Sequence, residues 1–289
     1  LLHEDVKMKG FGSDAFIGTA LLNMYGQCGD IIEAEKVFET LVTHDVVSWS
    51  AMLSAYIDQN EGQRALQVYR QMQEERLCID QLTSIIALQA CSIIAEGDEM
   101  PVPTGMSRKT FALEIGRALH ADARRKGFAS DLYVSNTILN MYGKCGSLED
   151  ACKIFDRMNQ QGVAPDEITW MGMLLACSHS GLVEEGWTFL SLMINKYGIK
   201  PDVEHFNCMV DLLGRAGCLD EGELLIKRMG CQPNVTTWTA LIGGYTQHGF
   251  GDEALKCYKR MKGEGVPPNA VTFGCVLRAS GIVGNIEKG

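Results

Sequence analysis

Polar and apolar positions along this chain follow a helical period, and the pattern itself recurs. LLNMYGQCGDIIEAEKVFETL (21–41) and ILNMYGKCGSLEDACKIFDRM (138–158) match closely. MLSAYIDQNEGQRALQVYRQM (52–72), MLLACSHSGLVEEGWTFLSLM (173–193), MVDLLGRAGCLDEGELLIKRM (209–229) and LIGGYTQHGFGDEALKCYKRM (241–261) follow the same template. Self-similarity of this kind marks a repeat architecture. Placed in register, the copies open at Ala15, Val46, Leu132, Glu167, Val203 and Val235 and are 31 to 36 residues long.

Each column of the register has a physical reading. The seventh and eighth residues are apolar, as in Leu21 and Leu22, Met52 and Leu53, Ile138 and Leu139. The eleventh is Tyr25, Tyr56, Tyr142, Cys177, Leu213 or Tyr245. The fifteenth is Gly29, Asn60, Gly146, Gly181, Gly217 or Gly249, the residues a left-handed turn between two helices requires. The twentieth is small (Ala34, Ala65, Ala151, Gly186, Gly222, Ala254), as close approach of two helices demands. The twenty-fourth (Phe38, Tyr69, Phe155, Leu190, Ile226, Tyr258) and twenty-seventh (Leu41, Met72, Met158, Met193, Met229, Met261) are large and apolar and share one face of the second helix. Each copy is therefore helix–turn–helix, with an apolar face buried only by stacking on its neighbours, which makes a superhelical solenoid.

The resulting division is 1–14, the end of a truncated repeat; 15–45, a short repeat; 46–80, a standard repeat; and 81–131, a long repeat. Then follow repeats at 132–166, 167–202 (long), 203–234 (short) and 235–269 (standard), and the start of a truncated repeat at 270–289. The long repeat at 81–131 carries an inserted loop over about 92–110, SIIAEGDEMPVPTGMSRKT, which the pattern predicts to be surface-exposed. Half-repeats at both ends point to a fragment of a longer array.

Composition narrows the chemistry. Apolar residues make up 46% of the chain, enough for a continuous core, and no apolar run is long enough to span a bilayer. Eleven cysteines in a chain of 289 residues, with no C-x-x-C spacing, read as free thiols and not as a disulfide framework or zinc site. Cys28 and Cys145 share a repeat position and read as packing residues. The six histidines have no partners at metal spacing. No nucleophile, base or metal constellation stands out, so neither enzyme nor cofactor is expected. The net charge of −10 is adverse to a nucleic-acid binder. Much of the acid, however, sits in pairs that open second helices: Glu149–Asp150, Glu184–Glu185, Asp220–Glu221 and Asp252–Glu253. There it complements the helix dipole.

Phrases such as ALLNMYGQCGDIIEAEKVF, DVVSWSAMLSAY and HFNCMVDLLGRAGCLDE resemble plant pentatricopeptide repeat proteins of the PLS subclass, in which repeats of unequal length alternate. The resemblance covers essentially the whole chain. It implies an all-α, right-handed superhelical α-solenoid of tetratricopeptide-like helix–turn–helix repeats. It also implies modular recognition of single-stranded RNA, one base per repeat, by the fifth residue of a repeat and its last. Carried onto this chain, the pairs are Thr19 with Asp45, Ser50 with Asp80, Asn136 with Asp166, Asn207 with Asn234 and Thr239 with Asn269. The family's rule assigns them G, G, U, C and A. Ile85 and Met171 hold the fifth position in the long repeats and are expected to act as spacers. Phe16, Val47 and Tyr133 at the second position are candidate wedges against a base; Glu204 departs from that pattern.

Many relatives of this subclass direct cytidine-to-uridine editing, which implies an RNA-modification adaptor in a chloroplast or mitochondrion, working with editing-complex proteins. Neither a membrane nor a small-molecule substrate is implied. The repeat order departs from the family: 132–166 opens like a short repeat and closes with GVAPD like a standard one, and a further standard repeat follows 203–234. The competing reading is a protein-binding helical-repeat scaffold, which the acidic charge favours and the fifth-and-last pairs oppose.

Overall fold

The computed structural model describes residues 14–97 and 105–286, together with Met8. The expected repeat end at 1–13 lies otherwise outside the described residues. Within them the chain is all-α, with fifteen helices of more than one turn and a single 3₁₀ turn, and no strand. It is an α-solenoid of helix–turn–helix pairs that divides into two compact halves between Cys145 and Gly146.

The N-terminal half holds α1 (Ala15–Cys28), α2 (Ile31–Thr40), α3 (Val46–Asp58), α4 (Gly62–Glu74), α5 (Gln81–Glu96), α6 (Arg108–Arg125) and α7 (Leu132–Cys145). Here α1 packs on α3, α3 on α5 and α5 on α7, while α2, α4 and α6 each pack on the helix before them and the one after. Leu22, Leu53, Met72, Leu88 and Leu139 are fully buried in its core. The C-terminal half holds α8 (Leu148–Gln160), α9 (Glu167–Ser180), α10 (Val183–Asn195), α11 (Val203–Ala216), α12 (Leu219–Arg228), α13 (Val235–Gln247), α14 (Gly251–Gly263) and α15 (Ala270–Ile286). There α9, α11, α13 and α15 form the inner succession, with α10, α12 and α14 packed between them.

Local chemistry sets the helix ends. The residue before each first helix is Asp or Asn, and its side-chain oxygen accepts the N–H three residues on: Asp14, Asp45, Asp80, Asp131, Asp166, Asp202, Asn234 and Asn269. Such a cap satisfies one of the orphan donors of the first turn and is worth about 1 kcal/mol. Helices α8, α10, α12 and α14 lack a side-chain cap and instead carry two acids each in the first turn. Between paired helices the chain passes through the left-handed region, at φ +58° for Asn60 and +79° for Gly217. Small residues sit where helices meet: Ala34, Ala65, Ala151 and Ala254 are fully buried, and a Cβ on Gly186 would run into Leu212 Cδ2. An aromatic fourth residue locks successive repeats. Trp49 meets Phe38 edge-on at 4.7 Å, and Trp170 meets Phe155 at 5.0 Å.

Two expectations need correction. The inserted stretch is shorter than 92–110, because α5 continues to Glu96 and α6 starts at Arg108 behind a Ser107 cap. Ile94 and Ala95 are buried, so they prolong the apolar face of α5, and the Arg108 guanidinium donates to Gly97 O at 2.7 Å. The insertion is thereby confined to 97–107, of which 98–104 lie outside the described residues. Cys28, expected to pack, is exposed, unlike its counterpart Cys145, which is buried.

Candidate nucleic-acid interface

The fifth and last residues of the register are joined, in three cases, through a side chain that sequence reasoning passed over: the third residue of the following repeat. Ser50 Oγ lies 3.1 Å from Thr83 Oγ1, which donates to Asp80 Oδ1 at 2.6 Å. The single Thr83 proton is committed to the carboxylate, so Ser50 donates to Thr83. The same order recurs in the C-terminal half. Thr239 Oγ1 meets Thr272 Oγ1 at 2.7 Å, and Thr272 donates to Asn269 Oδ1 at 2.9 Å. Asn207 Oδ1 accepts from Thr237 Oγ1 at 2.5 Å, and Thr237 Oγ1 lies 3.1 Å from Asn234 Oδ1. The relaying hydroxyls of Thr83, Thr237 and Thr272 are fully buried. A buried hydroxyl of this kind fixes the rotamers of the two groups it joins.

The other two pairs stand differently. Thr19 turns its hydroxyl back to Ala15 O at 2.9 Å, while Asp45 and Ser48 close a reciprocal capping box. Asn136 is buried on α7, in the N-terminal half. Asp166, in the C-terminal half, forms a capping box with Thr169. The signal that reveals the third-position residues is Asp or Asn followed three residues later by Ser or Thr at the repeat junctions: Asp45–Ser48, Asp80–Thr83, Asp166–Thr169, Asn234–Thr237 and Asn269–Thr272. At 203–234 a histidine takes that place. His205 is buried between Asp202 Oδ1, at 2.5 Å, and Glu167 O, at 2.9 Å.

The second position is an exposed apolar row. Phe16, Val47, Leu82, Tyr133, Ile168 and Val271 all present large apolar side chains to solvent, from 50% exposed at Ile168 to 85% at Phe16. Leu82, Ile168 and Val271 join the three anticipated wedges. These apolar groups recur at one repeat position and stand outside the core. A cleft of about 530 Å³ opens beside the pair Thr239 and Asn269, bounded by Thr236, Val271, Arg215 and Arg278. Arg215 also pairs with Asp211 at 2.8 Å. The cleft thus combines oriented hydroxyl and amide groups, an apolar wall and two guanidinium groups. No group of three or more potential metal ligands occurs among the described residues. No helix among them is long and apolar enough to cross a membrane.

A stack of helix–turn–helix repeats defines a helical-repeat protein. Family models match over well more than half of the sequence: one described as the PPR repeat family at 130–179 and 233–280, and one described as PPR repeat at 19–46, 47–77, 168–197 and 204–231. The chain belongs to the pentatricopeptide repeat (PPR) family.

It is 32% identical over 293 residues to the chloroplastic PPR-containing protein CRR2 of Arabidopsis thaliana, covering 90% of this chain and 42% of that protein. To a mitochondrial PPR-containing protein of the same plant it is 32% identical over 274 residues, covering 84% of this chain and 41% of the relative. The chain therefore spans about two-fifths of the length of these relatives. Among solved structures it resembles the PPR protein PPR10 in complex with an 18-nt psaJ RNA element, with a TM-score of 0.59 and 20% identity over 96% of this chain and 44% of that one. This likeness shows the solenoid fold.

Proposed function

We propose that this chain binds single-stranded RNA by sequence, one base per readable repeat, as an address module in organellar RNA processing or cytidine-to-uridine editing. The observation that carries the reading is the recurring arrangement at the repeat junctions. A fifth-position hydroxyl or amide is oriented by a buried third-position hydroxyl that also engages the last residue; the Ser50 repeat carries an exposed apolar second residue, Val47, and Val271 lines the cleft beside Thr239. Such a set offers a base one or two directed hydrogen bonds to its Watson–Crick edge and an apolar face to lie against. Contacts of the stacking kind are worth about 1–3 kcal/mol per base.

Within this reading Thr19 with Asp45 and Ser50 with Asp80 favour guanine, Thr239 with Asn269 favours adenine, and the Asn207–Asn234 pair has the pattern for cytosine. Ile85 and Met171 pass over a nucleotide. The PLS assignment, which the unequal repeat lengths support, makes the chain an adaptor without chemistry of its own that works beside editing-complex proteins. The chloroplastic and mitochondrial relatives support residence in one of those organelles.

The test is binding of labelled single-stranded RNAs that carry these bases, with one-nucleotide gaps for the spacer repeats. Thr239→Asn should convert the last pair to Asn–Asn and exchange a preference for adenine at its nucleotide for cytosine. Equal affinity for all sequences would refute base reading and favour the protein-binding scaffold that the net charge of −10 suggests.

A further inference from the structure

The second position is apolar in six repeats and Thr236 at 235–269, but at 203–234 it is charged: Glu204. Its carboxylate lies across the proposed base-reading pair. Asn207 Nδ2 donates to Glu204 Oε2 at 3.3 Å, and Asn234 Nδ2 donates to Glu204 Oε1 at 3.3 Å. Neither amide can turn away cheaply. Asn234 Oδ1 is held by the Thr237 N–H at 3.0 Å, and Asn207 Oδ1 by the Thr237 hydroxyl at 2.5 Å. Flipping either amide would set its oxygen against a carboxylate, which can only accept. One carboxylate of the protein therefore engages a hydrogen of each amide nitrogen that a base would meet.

The surroundings reinforce the closure. The half-buried Cys208 thiol on the same helix is pushed up to about 12, by burial first and then by the carboxylates of Asp211, Glu204 and Asp202. Two carboxylates, Asp202 and Glu204, thus stand at the start of the helix that carries Asn207. The neighbouring cleft at Thr239 and Asn269 has Val271 and Arg278 at its wall, and its carboxylate, Asp211, is paired with Arg215.

Resting on the base-reading proposal, we infer that Glu204 closes the 203–234 repeat: its carboxylate bridges the two amide nitrogens of the Asn207–Asn234 pair, in the place a base would take, and this repeat spans its nucleotide without reading it. Glu204 is then a specificity-determining residue of a negative kind, and an apolar residue such as those at 47 and 271 would open the repeat.

The experiment uses the full chain and the variant Glu204→Val, which places here the residue found at 47 and 271. Fluorescent single-stranded RNAs vary the nucleotide facing Asn207–Asn234 through all four bases and, in a second set, the nucleotide facing Thr239–Asn269. The unaltered chain should discriminate less than about twofold at the first nucleotide and about tenfold at the second, the latter roughly 1.4 kcal/mol. Glu204→Val should acquire a cytosine preference of about tenfold at the first nucleotide and leave the second unchanged. Circular dichroism checks that both proteins are equally folded, as expected for an exposed position.

Discrimination by the unaltered chain as strong at Asn207–Asn234 as at Thr239–Asn269 would overturn the inference. So would a Glu204→Val protein that stays indifferent at the first nucleotide while still discriminating at the second. Indifference of both proteins at both nucleotides would overturn the base-reading proposal, and the inference with it.

Discussion

Thr237 is where the relay has most to lose, so Thr237→Val is the most informative single change. Its side chain is fully buried; its hydroxyl donates to Asn207 Oδ1 at 2.5 Å and accepts the Asn234 N–H at 3.1 Å. Valine keeps the shape and removes the hydroxyl. The backbone cap survives, because the residue-237 N–H still reaches Asn234 Oδ1. Asn207 Oδ1, on a residue only 4% exposed, is left without its donor. An unsatisfied buried acceptor costs about 1–3 kcal/mol, and the added methyl returns up to about 0.8 kcal/mol if well packed. A net loss of about 1–2 kcal/mol is expected. In a solenoid, where each repeat leans only on its neighbours, that loss should concentrate in α11 and α13. Hydrogen exchange of amides in those helices, alongside urea denaturation, measures it. Thr239→Val is the internal comparison. Thr239 is half-buried and only donates to Thr272, which keeps its own bond to Asn269, so its loss should stay below about 0.5 kcal/mol. If Thr237→Val proves as harmless as Thr239→Val, the relay is not a structural link and the reasoning fails.

Three further outcomes follow from the packing and charge. Glu223 is bonded by the Tyr245 hydroxyl at 3.0 Å, Arg260 at 3.1 Å and Lys227 at 3.3 Å. Burial pushes its carboxyl up, but these partners outweigh burial and hold it below the ordinary 4.5. A depressed carboxyl stabilises the fold fully above that value and ceases to do so as pH falls through its folded pKa. Glu223→Gln should therefore cost about 1 kcal/mol at neutral pH and flatten the acid limb of the stability curve, read by denaturation from pH 7 to 3. Gly217→Ala should cost about 1–3 kcal/mol in thermal or urea unfolding, because φ is +79° and the new Cβ would stand 3.2 Å from His248 Cε1. Tyr133→Ala, at an exposed second position, should leave stability within about 0.5 kcal/mol and weaken RNA binding by about 1–3 kcal/mol. Equal losses in folding and binding would assign Tyr133 to the core instead.

The helices were legible because their signals are local. The glycine or asparagine turn, the small twentieth residue and the apolar face of the second helix each answer to a requirement within one repeat, and the copies average out exceptions such as Asn60. The insertion was overdrawn because glycine and proline at 97–105 drew attention away from Ser92–Glu96, whose apolar face continues α5. Cys28 misled because a shared repeat position does not guarantee shared burial. In the site, the fifth and last residues came from resemblance and the exposed wedges in part from it. The third residue was missed because its role needs two repeats at once: a capping threonine looks local until its hydroxyl is seen to reach the preceding repeat. The clamp at Glu204 was legible only as a departure from the row; nothing in the sequence says which amides a carboxylate will reach.

The residue that ends one repeat also starts the first helix of the next as its N-cap. Folding thereby restricts that position to side chains with a short acceptor, among which aspartate and asparagine are almost equivalent. A change from Asp80 to asparagine, or from Asn269 to aspartate, would alter charge and donor pattern at the junction while leaving the helix cap intact. The position is a letter that the fold requires to be present but does not choose between, so a lineage can rewrite it one repeat at a time without passing through an unstable intermediate.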